Sequence, residues 1–274
     1  MIEQAIVDLY INTPTEYKRE HRDLFDSFIL ALNEGSIRAC EKSHDGWKVN
    51  TWIKMGILIG FRMGVLAALP DGNKDFFDKD TLAAKRFTLS DQVRIVPGGT
   101  SARNGCYMAK GVTVMPPAFI NIGAWVDSGT MVDSHALVGS CAQIGKRVHL
   151  SAGAMIGGVL EPIGSRPVII EDDAFIGGNT GIYEGIIVQS RAVIASGTII
   201  TASTPIYDSI AGRFLDPDSG GSYTVPADAV VVPGSRKLRS NPDFQVYCPI
   251  IVKYRDARTD VSVALENDLR HLMD

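Results

Sequence analysis

Few residues in the middle of the chain have the types and spacing that enzyme chemistry requires. Asp133 supplies a carboxylate, and His135 and His149 are the two histidines between residues 94 and 208. Zinc sites of the three-histidine kind need one ligand more, so we expect no metal. The sequence contains no P-loop, GxGxxG, HExxH or GxSxG motif. It therefore gives no support to kinase or serine-hydrolase chemistry.

The charge balance excludes several classes of partner. The chain of 274 residues carries 27 Lys and Arg against 31 Asp and Glu, a formal net charge of −4. No overall basic field draws such a chain to nucleic acid or to an anionic membrane, so an anionic substrate must be bound by local Arg or Lys. The four cysteines form no CxxC motif and follow no basic signal sequence, which predicts a cytoplasmic protein with free thiols. The longest apolar run, 55–70, contains Arg62 and is too short to span a membrane.

The elements that must position these residues have a six-residue period. Steps of six from Val96 to Ile156, and again from Ile170 to Ile206, meet an apolar residue at all 18 positions. A second column, four residues later, is mostly small or β-branched. Between the columns lie Asp173, Asn179 and a set of glycines, which marks corners where the backbone adopts positive φ. The glycines are Gly99, Gly105, Gly111, Gly123, Gly129, Gly153, Gly185 and Gly197.

This pattern predicts short strands stacked coil upon coil in a parallel β-helix. The spacing breaks between Gly157 and Val168. We expect an external loop there, which either builds a site or is a tolerated insertion. The fold is then mainly β, with a helical N-terminal domain (1–93), the β-helix (94–208) and a C-terminal α/β extension (209–274).

The flanking regions predict helices and a few strands. A helix is expected from about Thr15 to Asn33, a second over Thr51–Met63 and a short third over Asp80–Phe87. After residue 208, the stretches 229–233 and 249–253 are typical of strands. Residues 259–273 favour a terminal helix that Thr259 or Asp260 would cap.

The stretch from Asn121 to Glu171 is the longest that resembles a known family. It contains NIGAWVD, GTMVDS, VGSCAQIGK, VHLS and GGVLEP in that order. Further matches are Ile169–Asp172, Ser203-Thr204 with Ile206–Asp208, and Tyr247-Cys248 with Ile251–Lys253. With the hexads, these motifs resemble the tetrahydrodipicolinate N-succinyltransferases, which are hexapeptide-repeat acyltransferases. The resemblance implies a left-handed β-helix and a homotrimer with active sites between subunits. It also implies transfer of succinyl from succinyl-CoA to a cyclic dicarboxylate in lysine and diaminopimelate biosynthesis.

The same resemblance implies candidate site residues. Asp133 lies on the family's substrate-binding aspartate, and it follows inward-facing Val132, so its carboxylate should point out of the coil toward a substrate amine or a turn amide. Arg94 lies where the family binds a substrate carboxylate, and Arg103 is its rival. Glu184 matches a family acid and is, with water, a candidate base. Coenzyme A is expected at Gly197, Ala202, Ser203, Thr204, Arg236 and Lys237.

Two residues depart from the family pattern. Gly181 stands where several relatives carry an active-site glutamate, and His135 where they carry a bulky aromatic residue. These departures leave open a paralogous N-acyltransferase for another amino-dicarboxylate or a lysine-derived amine, as in tabtoxin-type biosynthesis, with acetyl-CoA as an alternative donor. A non-catalytic β-helical trimer is a third hypothesis, against which the matched polar residues argue.

Overall fold

The computed structural model describes residues 2–44, 46–69 and 76–264. Its N-terminal region contains helices and two antiparallel hairpins. The helices are α1 (Ile2–Ile11), α2 (Arg19–Glu34) and α3 (Thr51–Met63). The hairpins are β1 (Cys40–Ser43) with β2 (Gly46–Val49), and β3 (Leu66–Ala68) with β4 (Phe77–Lys79). The sequence predicts α3 correctly but does not predict α1 or either hairpin.

Two of the expected N-terminal helices are corrected. Helix α2 begins at Arg19, not near Thr15, and ends where Gly35 adopts φ 72°. The expected helix over 80–87 is wrong, since only Asp80–Leu82 form one 3-10 turn. The N–H of Lys85 donates to the carbonyl of Ala102, so the chain there is extended along the first coil rather than helical.

Aromatic rings on α2 explain two glycines of α3. A Cβ atom at Gly56 would lie 2.5 Å from the Phe28 ring, and one at Gly60 would lie 2.4 Å from the Phe25 ring. Both phenylalanines are fully buried. The glycines therefore let the two helices pack closely, which fixes the position of α3 against the rest of the chain.

The region with the six-residue period forms short strands of two residues each. In the first part they are β5 (Arg94–Ile95), β6 (Ser101–Ala102), β7 (Tyr107–Met108), β8 (Thr113–Val114), β9 (Phe119–Ile120), β10 (Trp125–Val126), β11 (Met131–Val132), β12 (Leu137–Val138), β13 (Gln143–Ile144), β14 (His149–Leu150) and β15 (Met155–Ile156). After the loop come β16 (Ile169–Ile170), β17 (Phe175–Ile176), β18 (Gly181–Ile182), β19 (Ile187–Val188), β20 (Val193–Ile194) and β21 (Ile199–Ile200).

Every third strand pairs in parallel, so three strands make one coil and three sheets run along the stack. Met131 of β11, for example, lies in register between Thr113 of β8 and His149 of β14. All of the large apolar positions after Val96 join one buried cluster. The predicted mainly β architecture with stacked parallel strands is thereby confirmed.

Backbone dihedral angles confirm the corners. All eight predicted glycines have positive φ, as do Asp173 at 60° and Asn179 at 54°. Four further residues in the same phase, His135, Cys141, Arg147 and Arg191, also have positive φ. The sequence does not predict positive φ at these four positions, because Asn, Asp and Gly are the residues that usually adopt it.

The C-terminal region adds strands and one helix. They are β22 (Tyr207–Asp208), β23 (Arg213–Phe214), β24 (Thr224–Val225), β25 (Ala229–Val232), β26 (Ser235–Lys237), β27 (Gln245–Tyr247), β28 (Ile250–Tyr254) and α4 (Ala257–Ala264). Strands β25 and β28 confirm the two expected strands. Because β24 and β25 pair in parallel with β19 and β20, the stack continues beyond residue 208. The division into three domains stays a prediction.

The terminal helix begins earlier than the sequence indicates. The Asp256 carboxylate accepts a hydrogen bond from the Thr259 N–H at 2.8 Å. Asp256 is therefore the cap, and the expected cap at Thr259 or Asp260 is wrong. Residues 265–274 of the predicted helix lie outside the described residues. None of the helices in the described part of the chain has the length and apolarity needed to cross a bilayer.

Candidate active site

A cavity of about 850 Å³ lies where the external loop meets the later coils. The loop over 157–168 forms one wall, and Trp47 of β2 lies beside it. The corner at Tyr183 and Glu184, residues 201–202 and the segment 219–222 form the other walls. The loop that interrupts the hexads therefore contributes to a cavity, which favours the interpretation that it builds a site.

A buried lysine holds this loop from the N-terminal side. Lys54 of α3 is fully buried, and its Nζ donates to the backbone carbonyl of Ser165 at 2.5 Å. Burial lowers the pKa of the Lys54 ammonium, and the nearby Cys141 and Cys40 thiols oppose that shift. Burial in turn raises the pKa of Cys40 to about 11 and that of Cys141 to about 12. Both thiols are therefore protonated at neutral pH and unsuited to act as nucleophiles.

Arg166 fixes the other end of the loop. Its Nε and Nη2 donate to the carbonyl of Gly185 at 2.9 and 2.7 Å, and Nη2 lies 2.6 Å from Asp218 Oδ2. Burial would raise the pKa of the Asp218 carboxyl, but hydrogen bonds from Arg166 and the Ser222 N–H hold it below its usual value. The loop, the corner at residue 185 and the 218–222 segment thus form one connected wall.

Glu184 lies at the corner that faces this wall, in a left-handed conformation with φ 53°. Its Oε2 accepts a hydrogen bond from the N–H of Ala202 at 2.9 Å, and its own carbonyl accepts one from the Ser222 hydroxyl at 2.6 Å. The structure therefore brings together two predicted site residues, Glu184 and Ala202, both of which line the cavity. None of the described residues donates a hydrogen bond to the other carboxylate oxygen of Glu184, which can bind a ligand.

Asp133 lies outside the lining of this cavity, at the corner after β11. It is half-buried, and its Oδ1 accepts a hydrogen bond from the Ser134 N–H at 2.7 Å. Asp127, six residues earlier, makes the same contact with Ser128 at 2.7 Å. One oxygen of Asp133 thus caps a turn, and no donor among the described residues reaches Oδ2.

The two candidate arginines differ in their partners. Arg103 forms an ion pair with Asp78, which neutralises its guanidinium. Arg94 is exposed at the start of β5, and no described carboxylate pairs with it. Strand β5 is two strands from β11 in the same sheet, which at the usual spacing is about 10 Å. Arg94 and Asp133 therefore lie two coils apart at one side of the molecule, with the coil of β8 between them.

The residues expected at coenzyme A lie at the end of the stack, in part near the cavity. The hydroxyls of Ser203 and Thr204 bond to that of Thr201 at 3.0 and 2.7 Å, and a Cβ at Gly197 would meet open space. Arg236 and Lys237 belong to β26, which pairs with β27. The Tyr247 hydroxyl of β27 accepts a hydrogen bond from the Ile199 N–H at 2.7 Å, so this basic hairpin lies against β21, the end strand of its sheet.

Sequence reasoning missed Tyr183, whose ring lies against two glycines in the cavity wall. A Cβ at Gly181 would lie 2.5 Å from Tyr183 Cε2, and one at Gly157 would lie 2.7 Å from Cδ1. The sequence does contain a signal for the position of this ring, since Gly157 and Gly181 are out of phase with the glycines at the corners. Lys54, Arg166 and Asp218 carry no comparable spacing signal.

Family models match two parts of this chain. The family model of the tetrahydrodipicolinate N-succinyltransferase N-terminal domain matches residues 1–63, and that of the hexapeptide repeat of succinyl-transferase matches residues 167–202. A solved structure from Campylobacter jejuni, proposed to be a 2,3,4,5-tetrahydropyridine-2-carboxylate N-succinyltransferase, is 14% identical, with a TM-score of 0.49. It covers 87% of this chain, which spans 64% of that structure.

Two relatives, from Sodalis glossinidius and Herminiimonas arsenicoxydans, are each named 2,3,4,5-tetrahydropyridine-2,6-dicarboxylate N-succinyltransferase. The first is 41% identical over 98% of this chain and 96% of its own length. The second is 42% identical over 98% of this chain and 97% of its own length. The resemblance inferred from the motifs is confirmed, and the chain belongs to the tetrahydrodipicolinate N-succinyltransferase family.

Proposed function

We propose that this protein transfers the succinyl group of succinyl-CoA to the nitrogen of tetrahydrodipicolinate, in lysine and diaminopimelate biosynthesis. The observation that carries the proposal is identity of 41–42% along nearly the whole chain with relatives named for this reaction. The cavity formed by the external loop and the last coils supports it, because a CoA-dependent transfer needs a site that excludes water from the thioester.

The reaction is acyl transfer from sulfur to nitrogen. The ring nitrogen of tetrahydrodipicolinate belongs to an imine, so water first adds across the C=N bond and gives a neutral secondary amine. This amine attacks the thioester carbonyl carbon, the new C–N bond forms, and the C–S bond then breaks to release CoA. The amine proton passes to a base, and a proton is returned to the leaving thiolate. Glu184 has one carboxylate oxygen without a hydrogen-bond partner in the described part of the chain, and it is the candidate base, directly or through a water. Asp133 Oδ2 is the candidate acceptor that orients the amine.

Arg94 is the better candidate for a substrate carboxylate. A guanidinium that already pairs with a carboxylate, as Arg103 does with Asp78, must lose that partner before it binds another. Arg94 has no such cost. The acyl donor would extend along Gly197 and residues 202–204 toward Arg236 and Lys237, whose positive charges suit its phosphates.

We further propose a left-handed coil and a homotrimer with sites between subunits, in the cytoplasm. One outer sheet face supports association, since Phe119, Leu137 and Met155 form a half-buried apolar column. Ile199, 38% exposed, lies in the same register beyond Gly181. Asp133 and Arg94 do not line the cavity that contains Glu184. Completion of each site by a neighbouring subunit would bring such residues together.

The alternative is a paralogue that uses acetyl-CoA or another amine, and Gly181 is the observation that favours it. Purified protein with succinyl-CoA and acetyl-CoA in competition, against tetrahydrodipicolinate and a panel of amino-dicarboxylates, separates the two. We expect succinyl transfer to tetrahydrodipicolinate to dominate. Faster transfer of acetyl, or faster acylation of another amine, would replace the proposal by the alternative.

A further inference from the structure

Tyr183 occupies a slot that two glycines create for it. Neither Gly157 nor Gly181 has positive φ, so the backbone does not require glycine at either position. At both positions a Cβ would instead collide with the Tyr183 ring, at 2.7 Å from Cδ1 and 2.5 Å from Cε2. The absence of two side chains is thus explained by the ring that fills their space.

The slot fixes the hydroxyl as well as the ring. A Cβ at Gly181 would lie 2.9 Å from the Tyr183 hydroxyl oxygen, so this oxygen lies above the backbone of β18. No hydrogen bond to it comes from the described residues, although the residue is half-buried and lines the cavity. A phenol that is held in one orientation and has no hydrogen-bond partner in the described part of the chain can bind a ligand with little loss of conformational entropy.

The charges around the cavity indicate which ligand group this is. Glu161 and Glu184 supply carboxylates, while the Arg166 guanidinium is already paired with Asp218. The cavity therefore favours an amine over an anionic group. Tyr183 and Glu184 are consecutive residues of one corner, so a nitrogen between them could contact both.

We propose that Tyr183 contacts the acceptor substrate and that its hydroxyl accepts a hydrogen bond from the reacting amine. Glu184, the next residue along the chain, faces the same amine. The inference rests on the proposed function. It adds the Tyr183 phenol, which lies above Gly181 in the space that Gly157 and Gly181 leave open, to the acceptor site.

The test is steady-state kinetics of the full chain and its Tyr183→Phe variant, which keeps the ring and removes only the hydroxyl. We expect kcat/KM for tetrahydrodipicolinate to fall about tenfold or more, as for loss of one hydrogen bond to the reacting group. The KM for succinyl-CoA and the thermal midpoint should stay unchanged. Gly181→Ala, which displaces the ring, should lower the same parameter, and Tyr10→Phe in α1 is the matched control without effect.

Three outcomes would overturn the inference. Tyr183→Phe could match the wild type, or its loss could appear in the KM for succinyl-CoA, which would place the hydroxyl at the donor instead. If the wild type itself releases no CoA with tetrahydrodipicolinate, the proposed function fails and the inference fails with it. An active wild type with an unaffected Tyr183→Phe variant overturns the inference alone.

Discussion

Lys54 Nζ lies 2.5 Å from the carbonyl oxygen of Ser165, which links the buried face of α3 to the external loop that walls the cavity. A fully buried ammonium is costly, and burial lowers its pKa accordingly. The loop explains why a lysine is buried here, because the Ser165 carbonyl would lose this donor if Lys54 were apolar. The N-terminal region therefore supports the cavity wall through Lys54, while Trp47 of β2 lines the cavity directly.

Replacement of Lys54 by methionine tests this link. The change keeps most of the side-chain volume and removes the donor, so we expect global stability to change by no more than about 1–3 kcal/mol, since loss of a buried charge offsets loss of the bond. The amides of residues 157–168 should exchange with solvent faster, and turnover should fall. Hydrogen exchange measures the first effect.

Lys48→Met is the control, because Lys48 is exposed on the hairpin β1–β2. It should leave loop exchange and turnover as in the wild type. Unchanged exchange of the loop in Lys54→Met would show that Lys54 does not hold it.

The Glu171 carboxylate makes the stability of the folded protein depend on pH. Its carboxylate accepts hydrogen bonds from Lys42 Nζ at 2.8 Å and Trp47 Nε1 at 3.0 Å, which attach the hairpin β1–β2 to the stack. Burial would raise the pKa of Glu171, but these bonds and the Lys42 charge outweigh it and hold the pKa below the usual 4.5. The stabilisation is therefore present above pH 4.5 and is lost as pH falls through the lower pKa of the folded state.

Urea unfolding of Glu171→Gln at neutral and acidic pH measures that contribution. We expect the variant to be less stable at pH 7, by about 1–3 kcal/mol, and the difference to shrink below the usual carboxyl pKa. Glu41→Gln, at an exposed residue of the same hairpin, is the matched control and should show neither effect. A difference that is constant across pH would show that the Glu171 charge is not responsible.

Asp133→Asn tests the amine-orienting role. Asparagine keeps an oxygen for the Ser134 N–H, so the turn should persist, while the negative charge at the site is lost. We expect turnover to fall by about 10²–10⁴-fold with an unchanged oligomer. Asp127→Asn is the control, because Asp127 makes the same turn contact and has no assigned role in the reaction. Equal activity of the two variants would remove Asp133 from the site.

Much of the fold follows from the sequence because each hexad repeats one local rule. An inward apolar residue such as Val132 and a corner glycine such as Gly129 suffice to predict a strand and its turn, and the sheets form by repetition. The hairpin β1–β2 was not predicted, because it is stabilised by partners such as Glu171 that are far away in the sequence. The helix expected over 80–87 failed for the same reason, since Lys85 bonds to Ala102 of the first coil.

The candidate site was less predictable than the fold. Motif matching leads to Asp133, Arg94 and Glu184, but it cannot show that Arg103 is paired with Asp78 or that Glu184 holds the Ala202 N–H. Tyr183 was missed because the period explains why a glycine stands at a corner, not why Gly181 stands in a strand. Only the position of the ring supplies that reason.

Product analysis by mass spectrometry is the direct test of succinyl transfer to tetrahydrodipicolinate by this protein. Purified protein is incubated with succinyl-CoA and tetrahydrodipicolinate, and free CoA and acylated product are both quantified. We expect one N-succinylated product for each CoA released, with loss of both in Asp133→Asn. Release of CoA no faster than in a protein-free control, with no succinylated product, would contradict it.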